Sequence, residues 1–321
     1  MRVLLSAIFC GRKQAPVLGT QGVGAPLMSA EKQTYTYKQV RKHEIKADVY
    51  PAPGEAARPV VVWLHGGCLI MGHRGDITAW QLNLYLEAGY TVVCADYRLA
   101  PETKLPAIID DLQDAFRWVR EEGPQLFQAD PSRVAAVGHS AGGYLALMSG
   151  VVCDPRPTVI VSFYGYGDIV GDWYSRPDPY YLQQPIMPPQ RAYRSVGSKV
   201  ISGTPEPHHR DNFYLHLRQQ GLWPLEVSGH DPWTEPGFFQ LYCPVRNVTR
   251  EYPPALLLHG DKDTDVPYEQ SALMVAALAK ATVEHELVTI PGGEHGFDAG
   301  RNEVSEPAMS KVVAFLRQHF G

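Results

Sequence analysis

The chain has 321 residues, 45% hydrophobic and 20% charged, with a formal net charge of −5 and a pI near 6.2. That length buries a sizeable core, while an acidic balance excludes a basic nucleic-acid surface, because phosphate binding needs clustered Lys and Arg. No run of about 18 apolar residues occurs, which excludes a helical membrane span.

Residues 1–30 mix Gly, Pro and Ser without periodicity and are expected to be a poorly ordered lead-in. Met1 to Cys10 holds one basic residue and a brief apolar core, but no small-x-small cleavage pattern precedes Gly11-Arg12-Lys13. Cytoplasmic residence is therefore favoured over secretion. Cysteines stand at 10, 68, 94, 153 and 243, an odd number with no CxxC pair, as reduced intracellular thiols would. Cys94 lies within an apolar run and is expected to be buried. Asn247-Val248-Thr249 is a glycosylation sequon of use only in a secreted chain.

From 34 to 50 the chain alternates with a period of two, the pattern of half-exposed antiparallel strands. Pro59 to Leu64 is apolar throughout, the mark of a strand buried on both faces, and it runs into His65-Gly66-Gly67-Cys68. A helix is expected around Ile77 to Glu87, a buried strand at Thr91 to Ala95, and a helix at Ile108 to Arg120. A strand at Val134 to Val137, a helix from Tyr144 to Met148 and a strand at Thr158 to Phe163 continue the rhythm. From 164 to 252 it stops, in a stretch rich in Tyr, Trp, Pro, His and Gly with a modest helix near Asp211 to Gln220. It resumes with strand Pro254 to His259, helix Glu269 to Ala281, strand Glu284 to Ile290 and helix Ser305 to His319. This predicts an α/β domain over 31–321, a mostly parallel sheet with helices on both faces. The stretch at about 165–252 is expected to form a cap, since ligand crevices lie outside the carboxyl ends of such strands.

Gly138-His139-Ser140-Ala141-Gly142 fits G-x-S-x-G between a strand and a helix, the context in which a sharp turn lifts a nucleophilic serine above the sheet edge. The helix that follows aims its N-terminal N–H groups at negative charge near Ser140. A serine hydroxyl needs a base, and the base needs a third group to hold it. After the later strand come Asp261, Asp263 and Asp265. Asp261 is expected to hold its own turn and Asp265 to cap the next helix, which leaves Asp263 on the loop crest as the acid, with Asp265 the rival. His295, between glycines in Pro291-Gly-Gly-Glu-His-Gly, is the expected base. His139 should pack against neighbouring strands, His285 should face solvent, and His208-His209 lack the companions a metal site needs. Oxyanion donors are expected from the backbone N–H of Ala141 and from the 65–68 loop.

His65-Gly66-Gly67, Asp96-Tyr-Arg-Leu-Ala-Pro-Glu102 with Leu105-Pro-Ala, and Gly138-His-Ser-Ala-Gly-Gly143 together resemble the α/β-hydrolase esterases, especially the hormone-sensitive-lipase-like carboxylesterase branch. The resemblance covers about 34–168 and 253–319. It implies hydrolysis of a small-molecule carboxylic ester without cofactor or metal, with Ser140, Asp263 and His295 as triad and Gly67, Cys68 and Ala141 as oxyanion donors. Two departures stand out. Cys68 replaces a usual third glycine, and its Cβ would narrow the hole. The acid loop His259-Gly-Asp-Lys-Asp-Thr-Asp-Val-Pro267 looks more like that of prolyl-oligopeptidase-type and feruloyl-esterase-type hydrolases. An amidase or peptidase of the same fold, and a non-catalytic binding protein on a hydrolase scaffold, are the competing readings.

Overall fold

The computed structural model describes residues 31–54, 56–204 and 208–321, so the expected lead-in at 1–30 lies outside the described residues. The alternating stretch forms an antiparallel hairpin, β1 (Gln33–Val40) and β2 (His43–Tyr50). β3 (Arg58–Leu64), β4 (Thr91–Ala95), β5 (Ala129–His139), β6 (Val159–Phe163), β7 (Ala255–Gly260) and β8 (His285–Ile290) are parallel to one another. β2 joins them antiparallel through β4, which gives one eight-stranded sheet in the order β1-β2-β4-β3-β5-β6-β7-β8.

The unbroken apolar run of β3 is explained by burial on both faces. Val60, Val62 and Leu64 enter one core, and Val61 and Trp63 the other; successive side chains of a strand point to opposite sides. The first core is closed by α2 (Leu105–Glu121) and α4 (Ala141–Val152), the second by α1 (Ala79–Glu87) and α10 (Ser305–Phe320). Between α2 and α4 lies the short α3 (Gly123–Phe127). Among the described residues of 164–252 there is no strand, only α5 (Asp172–Ser175), α6 (Pro189–Ala192), α7 (Asp211–Gln220), α8 (Trp223–Ser228) and 3-10 turns; α9 (Glu269–Lys280) follows β7. No helix among the described residues is long and apolar enough to cross a membrane.

The Asp96–Glu102 segment turns out to be a set of charged joints. Arg74 pairs with Asp96 and with Asp48, and Arg98 grips Asp111 through two 2.7 Å hydrogen bonds. Glu102 accepts from Nη2 of Arg210 at 2.6 Å, and Nη1 of Arg210 donates to the carbonyls of Ile70 and Ala100. Both side chains of that last pair are almost fully buried, so losing one partner would strand the other's charge in the interior. Arg210 thereby fastens the 164–252 segment to the loop that follows β3.

Candidate active site

Ser140, the 66–68 loop, Asp263 and His295 all lie just past the carboxyl ends of parallel strands, β5, β3, β7 and β8 respectively. The serine sits at φ 57°, ψ −117°, a conformation that costs a non-glycine residue about 1–3 kcal/mol and persists only where its surroundings fix it. Its N–H donates to Phe163 O and its carbonyl accepts from Tyr144 N–H, both at 2.9 Å. The glycine spacing follows from close approach. A Cβ on Gly138 would lie 2.0 Å from the Gly142 carbonyl oxygen, and one on Gly142 would lie 2.0 Å from that of Leu64. His139 turns away from the serine. Its ring stacks on Phe163 at 4.3 Å, and Nε2 lies 2.8 Å from Asp298 Oδ2.

Asp263 and His295 are brought together. His295 Nδ1 donates to Asp263 Oδ2 at 2.7 Å, and the other carboxylate oxygen, Oδ1, accepts from the N–H groups of Asp265 and Val266, each at 2.9 Å. His259 Nε2, bonded to the Val266 carbonyl at 3.0 Å, also stands 3.3 Å from Oδ2. Its ring therefore carries the proton on Nε2, with Nδ1 facing the Ser271 hydroxyl at 2.7 Å.

These contacts correct the elimination made from sequence. Asp263 is not a free carboxylate on a loop crest; its side chain has no solvent exposure. Asp261 does not close its own turn but accepts Gly292 N–H at 2.7 Å, tying the β7 and β8 loops together. Asp265 is not a helix cap, since α9 starts only at Glu269 and Tyr268 holds the cap position without a side-chain bond. The reason is Pro267, which disfavours helical backbone at Val266 and delays the helix. His285, expected to face solvent, is half-buried and its Nδ1 meets the Val283 carbonyl at 2.8 Å.

The electrostatics are strongly coupled. Burial alone would raise the Asp263 carboxyl, but the charge on His295 and the hydrogen bonds from His259 and His295 hold it well below the usual carboxylate range. Burial alone would lower His295, yet the charges of Asp263 and Asp265 outweigh it and push the imidazole up to about 9. The ring leans on Tyr164, 4.5 Å between centroids, and Tyr164 follows the Phe163 carbonyl that anchors Ser140.

In the loop after β3, Gly67 has φ +103°, and a Cβ there would lie 2.3 Å from the Met71 carbonyl oxygen. Gly67 O accepts from Ile70 and Met71 N–H, both at 2.9 Å, which closes a turn. Cys68 and Leu69 follow at φ 58° and 60°. The N–H groups of Gly67 and Cys68 donate to no other group among the described residues, and Ala141, first residue of α4, has an N–H that the helix itself cannot use. The Cys68 carbonyl accepts from Trp223 Nε1 at 2.8 Å, and burial pushes its thiol well above the ordinary range. Cys68, Cys94, Cys153 and Cys243 are all buried and form no disulfide among the described residues.

Sequence reasoning missed His259, Trp223 and Arg218. The histidine could have been suspected, as a polar residue ending an apolar strand; the other two belong to a segment without periodicity.

A family model described as alpha/beta hydrolase fold matches residues 61–299. A non-reducing polyketide synthase (ausA) of Aspergillus calidoustus is 29% identical over 354 aligned residues, which cover 92% of this chain and 14% of that protein. The chain thus spans a small part of the length of the curated relatives it matches. Among solved structures, a protein with unknown function from Staphylococcus aureus subsp. aureus Mu50 superposes with a TM-score of 0.75 at 22% identity, covering 90% of this chain and 100% of that one. An esterase from Pyrobaculum calidifontis gives 0.68 at 24% identity, covering 91% and 86%. These structural likenesses speak for the fold. The sheet order, the elbow at Ser140 and the family match across residues 61–299 lead to one conclusion: the chain belongs to the α/β-hydrolase fold, in the family of hormone-sensitive-lipase-like esterases.

Proposed function

We propose that this hydrolase-family chain is a carboxylesterase-type serine hydrolase acting through an acyl-enzyme on Ser140. The observation that carries the reading is the 2.7 Å bond from His295 to the solvent-shielded side chain of Asp263, at the rim that also bears the strained serine. His295 Nε2 takes the Ser140 Oγ proton as Oγ attacks the ester carbonyl. The oxyanion then accepts from Ala141, Gly67 and Cys68 N–H, where loss of one donor costs about 3–4 kcal/mol of barrier. Collapse breaks the C–O bond, His295 hands its proton to the departing alcohol, and water repeats the cycle on the acyl-serine. Asp263 fixes the tautomer and stabilises the imidazolium. No step calls on a cofactor or metal.

The segment at about 165–252 is proposed as the cap of this site, a role supported by the Trp223 bond to the Cys68 carbonyl and by Arg218 at Asp265. Four thiols with no disulfide among the described residues support a reducing, cytoplasmic setting. The likeness to part of proteins named polyketide synthases favours, as a second reading, an acyl group of polyketide type rather than a short aliphatic one.

A matched ester and anilide of one acyl group, in short aliphatic and aromatic polyketone versions, test the function. The ester is expected to turn over at least about 100-fold faster, because the anilide carbonyl is resonance-stabilised and its nitrogen leaves only once protonated, a dependence on the general acid worth about 100-fold or more. Comparable turnover of the anilide would instead make the protein an amidase.

The pH profile follows from His295. The base must be neutral, so a pKa raised to about 9 keeps it protonated at neutral pH in the free protein. kcat/KM is expected to climb through pH 7 and 8 and level off only above about 9. Initial rates between pH 6 and 10 check this, and a plateau reached by pH 7 would contradict it.

A further inference from the structure

His295 is flanked by two carboxylates, and only one belongs to the triad. Asp265 Oδ2 stands 3.5 Å from His295 Nε2, on the opposite edge of the ring from Asp263. That oxygen is buried and has no hydrogen-bond partner. Its twin, Oδ1, is held by three donors: Arg218 Nη1 at 2.8 Å, the Tyr181 hydroxyl at 2.7 Å and the Tyr214 hydroxyl at 2.6 Å. Arg218 has no exposed side-chain surface and also donates to Asp265 O at 2.9 Å and pairs with Asp178. Tyr181, Tyr214 and Arg218 all come from the 164–252 segment, so that segment fixes how Asp265 meets the base.

A buried carboxylate oxygen without a partner is costly in the resting state. The cost falls when a proton and a positive charge arrive on the ring nitrogen that faces it. Attack by Ser140 delivers both, since Nε2 is the atom that takes the hydroxyl proton. We propose that Asp265 is a positioning residue for the acyl-transfer reaction, clamping the imidazolium of His295 from the Nε2 side while Asp263 clamps it from Nδ1. This rests on the Ser140–His295 reading given above. Sequence spacing offered Asp265 only as a helix cap or as a substitute for Asp263; the geometry gives it a separate task beside Asp263.

The other groups around the ring do not reproduce that task. From the β8 loop, Asp298 is occupied by His139, Gln81 and Tyr164. From β7, His259 contacts Asp263 rather than His295, and from the end of β6, Tyr164 presents its ring. Asp178 lies beyond Arg218 and is paired with it.

The test is the pH dependence of kcat/KM together with the NMR titration of the His295 ring, in the wild type, Asp265→Asn and the double variant Asp265→Asn/Arg218→Gln. The double variant removes both charges of the Asp265–Arg218 pair and leaves only the part-exposed Asp178 without its arginine, so it provides a second folded protein if the single variant fails to fold. Removing a carboxylate at this distance is expected to lower the His295 midpoint and the acid limb by about one pH unit. kcat/KM on the alkaline plateau is expected to fall about tenfold. A merely structural role for Asp265 would lower stability or folded yield and leave the His295 midpoint where it was, and an unmoved midpoint in either folded variant overturns the proposal. The ring titration does not depend on turnover. If Ser140 is not the nucleophile, the rates lose their link to His295, whereas failure of the clamp alone leaves rates tracking an unshifted ring.

Discussion

Ser140→Ala is expected to reduce kcat for a reactive ester by about a million-fold, the order seen when a triad serine is removed elsewhere. The substitution deletes only Oγ. The elbow backbone is held by Ser140 N–H to Phe163 O and by Tyr144 N–H to Ser140 O, and neither bond uses the side chain. Thermal stability should accordingly stay within about 0.5 kcal/mol of the parent, the range of changes that touch no structural feature. Ester binding should also survive, because the substitution leaves the 66–68 loop and the 164–252 segment untouched. Single-turnover kinetics with the melting temperature measured alongside separate chemistry from folding. Activity within tenfold of the parent would remove Ser140 from the mechanism.

Asp263→Asn is expected to lower the kcat plateau by about ten-thousand-fold, the scale for a triad carboxylate replaced by its amide. Two changes combine. The amide that receives Val266 and Asp265 N–H through its oxygen turns its NH2 toward His295 Nδ1, and two donors cannot share that contact. His295 is then driven to the tautomer with its proton on Nε2, which cannot accept from serine. The imidazole also loses its main raising charge, so its midpoint moves down from about 9. The acid limb should therefore shift to lower pH while the plateau collapses, and a full pH–rate profile reads both. A fall in rate without a shift of the limb would mean Asp263 supports the loop alone.

Much of the scaffold was legible because burial is written into composition. Pro59 to Leu64 carries no polar alternation since both faces of β3 are covered, and the period-two stretch of β1 and β2 marks the partly exposed edge. Gly138 and Gly142 were legible because their neighbours leave no room for a Cβ. The acid loop was harder. Asp263 was reached by treating its side chain as the unengaged one, whereas it is tightly held, and Asp265 was misplaced because its position just ahead of Val266, Pro267 and the next helix looks like a cap, whereas the cap position falls at Tyr268. Arg218 was illegible for a different reason. It meets Asp265 across 47 residues of chain, from a helix whose segment shows no period and whose charge, in sequence, looks like any solvated face. Ionic joints of this kind are set by tertiary packing, and no local pattern encodes them.

The covalent step is open to direct inspection. The protein is mixed with a slowly deacylating aryl ester, quenched in acid, digested, and the peptides weighed. The proposed mechanism requires the acyl mass on the peptide containing Ser140, absent from the Ser140→Ala protein. Steady hydrolysis with no adduct there, or an adduct on another residue, would contradict it.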